Sequence, residues 1–292
     1  MIFLEKICDV IGGIKMSNLK LGLQMWSIHN VCVQRGIPAA LEMIRKMGYE
    51  GFEFALGDDI CLKDRCGADV DEVIRALDAN GIKAIGSHIP FEPLLDRADR
   101  VLEECLKLRL PYAAIGPIFW GDRATVKEQK MLYQKLGEIA RLFKRSGIQL
   151  QVHCSAFGYL KDYMGRYVVE GMIEEAGIDY LQPEFDTAWM ICGQVKPEEM
   201  LEKYDGHVDI LHFKDYHPLK ENYKYLMVRH NTICEEQKDG CAVGCNGVQN
   251  IESIIRSAKK CGVQWVVTEL WNERNSLEHA KISADNLRKY LS

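Results

Sequence analysis

The chain has 292 residues, 47% of them hydrophobic and 27% charged, with a formal net charge of −5. That is enough chain for one large α/β domain, and its mild acidity excludes the basic stripe that a nucleic-acid footprint shows. No apolar run approaches the ~18 residues of a membrane helix, and eleven scattered cysteines without a signal-like leader read as reduced thiols of a cytoplasmic protein.

Residues 1–18 open with MIFLEKICDVIGG, where Glu5, Lys6 and Asp9 interrupt the apolar character, and are set apart as an N-terminal appendage. Beyond them one join recurs: a helical segment, a glycine, then a short apolar strand. It occurs at Met47-Gly48-Tyr49, Asn80-Gly81-Ile82, Ser146-Gly147-Ile148, Ala176-Gly177-Ile178 and Cys261-Gly262-Val263. A glycine just past a helix end takes the left-handed conformation that closes the helix.

The pattern predicts strands at 20–26, 51–55, 82–88, 111–116, 148–153, 179–185, 207–213 and 264–270. Helices are expected near 36–47, 69–79, 94–108, 125–145, 160–176, 197–204, 250–261 and 276–290. Eight strands, each followed by a helix, is the count that closes a (β/α)8 TIM barrel, here a single domain over 19–292. An open doubly wound sheet is disfavoured, since no G-x-G-x-x-G follows the first strand. Residues 217–248 break the rhythm and read as a long loop over the C-terminal mouth, a lid or a partner-contacting surface. Its Cys234, Cys241 and Cys245 lack the C-x-x-C pair and fourth ligand of a zinc site.

The strand ends carry the chemistry. Strand side chains alternate between faces, so Glu184 shares a face with Asp186, and His212 with Lys214. Glu53, His88, His153 and Glu269 stand at other strand ends. Either Glu53 or Glu184 alone reads as a satisfied structural group; the whole set crowds like charges that a divalent cation would compensate. His153, Asp186, His212 and Glu269 come from strands five to eight and form the candidate metal ligands. Two imidazoles with two carboxylates suit Mn, Fe, Co or Zn better than Mg. The alternative is a hydrogen-bonded polar cluster without metal.

LGLQMWSIHN, GYEGFEFA, GIKAIGSH, GIQLQVH, EFDTAW, HFKD and VVTEL, spread from Leu19 to Leu291, resemble the sugar phosphate isomerase/epimerase family of xylose-isomerase-like TIM barrels. D-T-x-W followed about 26 residues later by H-x-K-D, with a last strand ending in Glu, carries most of the likeness. The resemblance implies one divalent metal held by residues from strands five to eight, with Asp186, His212 and Glu269 on matching positions. His153 departs from the pattern, because ketose epimerases of the family have a glutamate there. Relatives resembling inosose dehydratase have Y-H-x-H, of which this chain keeps the first histidine and has Ser155 at the second.

The expected reaction starts with removal of an α-proton from a small carbohydrate (a sugar, keto-sugar or cyclitol), with Glu269 as base and Lys214 or Glu184 as its partner. Return of the proton elsewhere is isomerisation or epimerisation; loss of a β-substituent is a lyase reaction, favoured by His153. A non-catalytic ligand-binding barrel is the third reading, and a DNA-cleaving relative is disfavoured by eight histidines and the negative charge. Gln24, Trp26, His88 and Trp189 are the expected substrate contacts, with Gln24 and Trp26 on the inward face of strand one. Trp120 and Trp271 would add an aromatic wall. The sequence leaves room for a homo-oligomer.

Overall fold

A computed structural model describes residues 18–116, 125–217, 223–271 and 276–291. The 1–18 appendage, its last residue excepted, and Trp120 lie outside the described residues. The strands are β1 (Lys20–Gln24), β2 (Gly51–Ala55), β3 (Lys83–Ile89), β4 (Tyr112–Ile115), β5 (Gln149–His153), β6 (Leu181–Asp186), β7 (Ile210–Phe213), β8 (Asp215–His217), β9 (Tyr223–Arg229), β10 (Thr232–Cys241) and β11 (Trp265–Thr268). Seven of them, β1 to β7, close with β11 into an eight-stranded barrel in the order β1-β11-β7-β6-β5-β4-β3-β2. Every barrel pair is parallel. The chain is therefore a single-domain TIM barrel, and no helix among the described residues is long and apolar enough to cross a membrane.

The five expected glycine joins all hold: Gly48, Gly81, Gly147, Gly177 and Gly262 have φ between +61° and +89°. Helix Val126–Arg145 starts at a capping box, in which Thr125 accepts from the Glu128 N–H at 3.3 Å and Glu128 accepts from the Thr125 N–H at 2.7 Å. Three segments differ from expectation. The helix expected over 94–108 is split into Phe91–Asp96 and Ala98–Lys107 at Arg97, whose φ of −140° leaves the helical region while its Nη2 bonds the Asp58 carbonyl. The one expected over 160–176 begins only at Val168, because residues 156–159 form a 3-10 turn and Lys161 pairs with Tyr167. The expected 217–248 loop instead holds the β9–β10 hairpin, turned at His230 and Asn231 (φ +49° and +58°) and joined to β8 as a three-stranded antiparallel sheet.

Two apolar layers hold the barrel. The larger lies between strands and helices; the smaller plugs the lower interior with Ile85, Ile210, Trp265 and Val267, flanked by Tyr112. Gly22 and Gly51 make room for that plug. A Cβ at Gly51 would meet Trp265 Cζ3 at 2.6 Å and Ile85 Cγ2 at 2.9 Å. Gly51→Ala is expected to overpack the plug and destabilise by about 1–3 kcal/mol, read as a lower melting temperature in calorimetry.

Candidate active site

Above the apolar plug, the inward side chains turn polar. Strand alternation gives β7 the inward series Ile210, His212, Lys214, and gives β11 Trp265, Val267 and then Glu269. Glu269 lies one residue past the end of β11 rather than inside a strand, and its N–H continues the ladder to Phe213 O at 3.0 Å. Parallel register then sets neighbours side by side: Gln24 with Glu53, His153 with Glu184, and Asp186 with His212. Phe185, on the opposite face of β6, packs edge-on against Tyr204 and fixes that alternation.

The ionisable groups converge. Two overlapping sets bring one ligand atom per residue within 4.8 Å of each other: His153, Asp186, His212 and Glu269, and His88, His153, Glu184 and His212. The first is the set expected from the sequence. His212 is the hub, with Nδ1 2.8 Å from Glu269 Oε2 and Nε2 2.9 Å from Glu53 Oε2 and 3.3 Å from Glu184 Oε1. His88 Nε2 meets Glu184 Oε1 at 3.0 Å, and Lys214 Nζ meets Glu269 Oε1 at 2.8 Å. His153 Nε2 stands 3.5 Å from Glu269 Oε2 and 3.8 Å from Asp186 Oδ2.

Among the described residues, both ring nitrogens of His153, Nε2 of His212, Oδ2 of Asp186, both oxygens of Glu53 and Oε2 of Glu184 are buried without a hydrogen-bond partner. The close His212–Glu53 approach is thus an ion-pair distance without hydrogen-bond alignment. Buried orphan atoms of this kind are costly, and nitrogen and carboxylate donors aimed at a common point are what a transition metal takes up. The residues fit a divalent cation.

Electrostatics sort the groups into roles. Burial pushes the Glu269 carboxyl up, but the Lys214 charge and the His212 hydrogen bond outweigh it and hold Glu269 well below the usual carboxylate range. Burial pushes Lys214 down; the charges of Glu269 and Asp186 more than restore it, leaving it raised and protonated. His212 is likewise depressed by burial, then carried well above the usual imidazole value by Glu53 and Glu184. His153 goes the other way: burial and the His88 charge lower it, so its imidazole is neutral. Glu184 is raised by burial and by the Glu53 charge, whereas Glu53, opposed by the same burial, is lowered by His212 and His88. Two adjacent carboxyls are driven apart, one toward the acid form and one toward the anion.

Of the expected substrate contacts, Gln24, Trp26 and His88 line a cavity of about 420 Å³ that also reaches Glu269. Trp26 is not on β1: the strand stops at Gln24, whose Oε1 accepts the Trp26 N–H at 2.5 Å and starts a 3-10 turn. The indole is consequently 42% exposed at the mouth rather than packed in the core. Trp189 lies in helix Thr187–Cys192, capped by Asp186, and packs edge-to-face on Trp271 at 4.6 Å. Both indoles flank Lys214, 5.6 and 4.1 Å from its Nζ, so the place of Trp189 is beside that ammonium group.

Sequence reasoning placed Glu53 among the strand-end groups but gave it no role, and did not foresee Asp215 as an anchor. Buried Asp215 accepts the N–H groups of Tyr216 at 2.9 Å, Val248 at 3.0 Å and Gly244 at 3.4 Å, tying the hairpin excursion to the barrel rim. The strand-end position of Glu53 was the available signal for the first; the second closes the H-x-K-D motif, which does not show that its carboxylate gathers N–H groups from residues 244 and 248. Cys234, Cys241 and Cys245 belong to neither ligand set found among the described residues.

The fold and the site together make this a closed parallel barrel with a nitrogen- and carboxylate-lined C-terminal mouth. The sequence pattern of the xylose isomerase-like TIM barrel family matches residues 41–290, and the chain belongs to that family. A search of curated proteins finds no significant match. Among solved structures, a sugar phosphate isomerase/epimerase from Parabacteroides distasonis superposes with a TM-score of 0.71 at 17% identity, covering 94% of this chain and 96% of that one. A probable 3-DHS dehydratase, AsbF, from Bacillus anthracis gives 0.70 at 11% identity, covering 92% and 99%. The IolI protein with a bound zinc atom gives 0.68 at 15% identity, covering 93% and 99%. At these identities the likeness is one of fold.

The buried Lys214–Glu269 pair sets a pH dependence in protein stripped of metal. Glu269 is lowered on folding, so its contribution is full above its unfolded value of about 4.3 and is lost as pH falls through the folded one. Lys214 is raised, so its contribution is full below about 10.4 and is lost as pH rises further. Glu269→Gln is expected to cost about 3–5 kcal/mol at neutral pH and to flatten the acid limb. Urea denaturation in chelator from pH 3 to 8 reads both.

Proposed function

We propose that this barrel is a metal-dependent isomerase or epimerase of a small carbohydrate. The observation that carries the proposal is the convergence of His153, Asp186, His212 and Glu269 within 4.8 Å, at the head of a cavity that holds His88 and Gln24. Those four residues would hold the ion, and the bound metal supplies Lewis acidity that polarises a substrate carbonyl and acidifies the adjacent C–H.

The chain's own groups then divide the proton work. Glu269, kept ionised by Lys214, accepts the α-proton; its Oε1 stays charge-balanced by the ammonium group at 2.8 Å. Glu184, raised by burial and by the Glu53 charge, is the group placed to return a proton, and His88 holds its Oε1 at 3.0 Å. Return to the neighbouring carbon is isomerisation; return to the other face is epimerisation. Lys214, clasped by Trp189 and Trp271, keeps a fixed positive charge beside the developing oxyanion. The indole of Trp26 offers an apolar face to a sugar ring at the rim.

A lyase is the second reading, and His153 favours it. A neutral imidazole at this strand-five position leaves Glu184 as the single raised acid of the cluster, suited to protonating a departing β-hydroxyl. The dehydratase among the similar folds is consistent with such chemistry on this scaffold.

Purified protein is expected to carry about one equivalent of Mn, Fe, Co or Zn by elemental analysis, and the Asp186→Ala/His212→Ala variant to carry little. In deuterium oxide, a keto-sugar substrate is expected to exchange its α-proton, with Glu269→Gln slowing exchange by about 10²–10⁴-fold. An unsaturated product absorbing in the near ultraviolet would select the lyase. Absence of bound metal after reconstitution would overturn the mechanism.

A further inference from the structure

The lining of the same cavity also holds a basic group outside the metal-ligand cluster. Arg65, in the short helix Leu62–Cys66, lines it together with Trp26, Gly57, Pro90 and Phe91. The guanidinium lies 5.6 Å from the Trp26 ring centroid, stacked toward an aromatic face, and its Nε is buried without a hydrogen-bond partner. Among the described residues no carboxylate stands within 4.0 Å of it, although Asp58 and Glu92 also line the cavity; both are exposed. Among the described residues, Arg65 is the only lysine or arginine in that lining.

The local structure holds this arginine in place. Its N–H bonds Cys61 O at 3.1 Å, and the helix is pinned where Leu62 N–H donates to buried Glu104 at 3.3 Å. The preceding turn is closed by Ile60 N–H to Gly57 O at 2.9 Å and by Arg97 Nη2 to Asp58 O at 2.7 Å. Gly57 leaves the space that the side chain uses, since a Cβ there would stand 3.0 Å from Arg65 Nη1. A positioned guanidinium with free N–H donors, stacked on an indole, is the arrangement that takes a carboxylate or phosphate through paired hydrogen bonds. His88 and Glu269 line the same space.

We propose that the mouth carries an anion subsite in which Arg65, stacked on Trp26, holds the phosphate or carboxylate of a sugar whose carbonyl end reaches the metal-ligand cluster. The substrate class is therefore an anionic keto-sugar, either a sugar phosphate or a keto-sugar acid. A neutral sugar leaves the guanidinium unpaired and binds more weakly. The inference rests on the carbohydrate reading given above, and Arg65 acts in it as a specificity-determining residue.

Calorimetric titration of the metal-loaded full chain with D-fructose, D-fructose 6-phosphate and D-fructuronate tests it. One of the two anionic probes is expected to bind at least ~10-fold tighter than D-fructose, with the preference weakening as salt rises. Tighter phosphate binding identifies a phosphoryl group, tighter fructuronate binding a carboxylate. Arg65→Gln, checked for a wild-type melting curve, is expected to bring that probe down to the affinity of D-fructose, and Arg65→Lys to recover part of the difference. Equal binding of neutral and anionic probes by the wild type, or an anionic preference that survives Arg65→Gln, overturns the proposal. Anion preference without metal uptake or proton exchange would remove the proposed reaction and leave the subsite standing. Proton exchange on D-fructose without anion preference would do the reverse.

Discussion

Four carboxylates, Glu53, Glu184, Asp186 and Glu269, are buried around three imidazoles and one ammonium group at the barrel mouth. Charges so placed have lost their water, and each must recover the lost solvation from its neighbours. The cluster does this unevenly. Lys214 and His212 satisfy Glu269, whereas His153, Asp186 and Glu53 keep buried atoms without hydrogen bonds. Those open nitrogen and carboxylate atoms are the observation on which the proposed metal site rests.

The barrel makes such a cluster sustainable. Parallel strands in fixed register place side chains from distant parts of the chain at one height, as Asp186 stands opposite His212 and His153 opposite Glu184. Below them Trp265, Ile210, Ile85 and Val267 fill the interior, so the charged layer rests on a dry floor. Low dielectric beneath and a cavity above give the field of the cluster a direction, toward the open mouth. One flanking helix, Thr187–Cys192, starts on the cluster itself, since Asp186 Oδ1 accepts the Trp189 N–H at 2.9 Å.

Much of this was legible in the sequence, for physical reasons that also mark where reading stops. The two-residue period of strands assigned Glu184, Asp186, His212 and Lys214 to one inward surface, and five glycine joins together with the apolar pattern of the other strands counted the barrel. Trp26 was placed on the first strand because alternation alone does not show that Gln24 ends it by capping the Trp26 N–H. The β9–β10 hairpin escaped notice because it stands outside the βα rhythm. Arg65 carried no signal at all, since its partner Trp26 is 39 residues away and a loop arginine looks solvated until the cavity is seen. Pairings between distant segments, such as Glu53 with His212, are properties of closure and are absent from any local window.

The anchorage of the hairpin has a bearing on how this barrel could be remodelled. Asp215 gathers the N–H groups of Tyr216, Gly244 and Val248, so the excursion leaves and re-enters the barrel at a single carboxylate. Its two ends lie side by side, and Val248 N–H also returns to Tyr216 O at 3.1 Å. Chain ends that meet at one clamp form a natural graft point. The segment between them can be shortened, lengthened or exchanged for another module while His212 on β7 and Lys214 just after it, both ahead of the clamp, keep their positions.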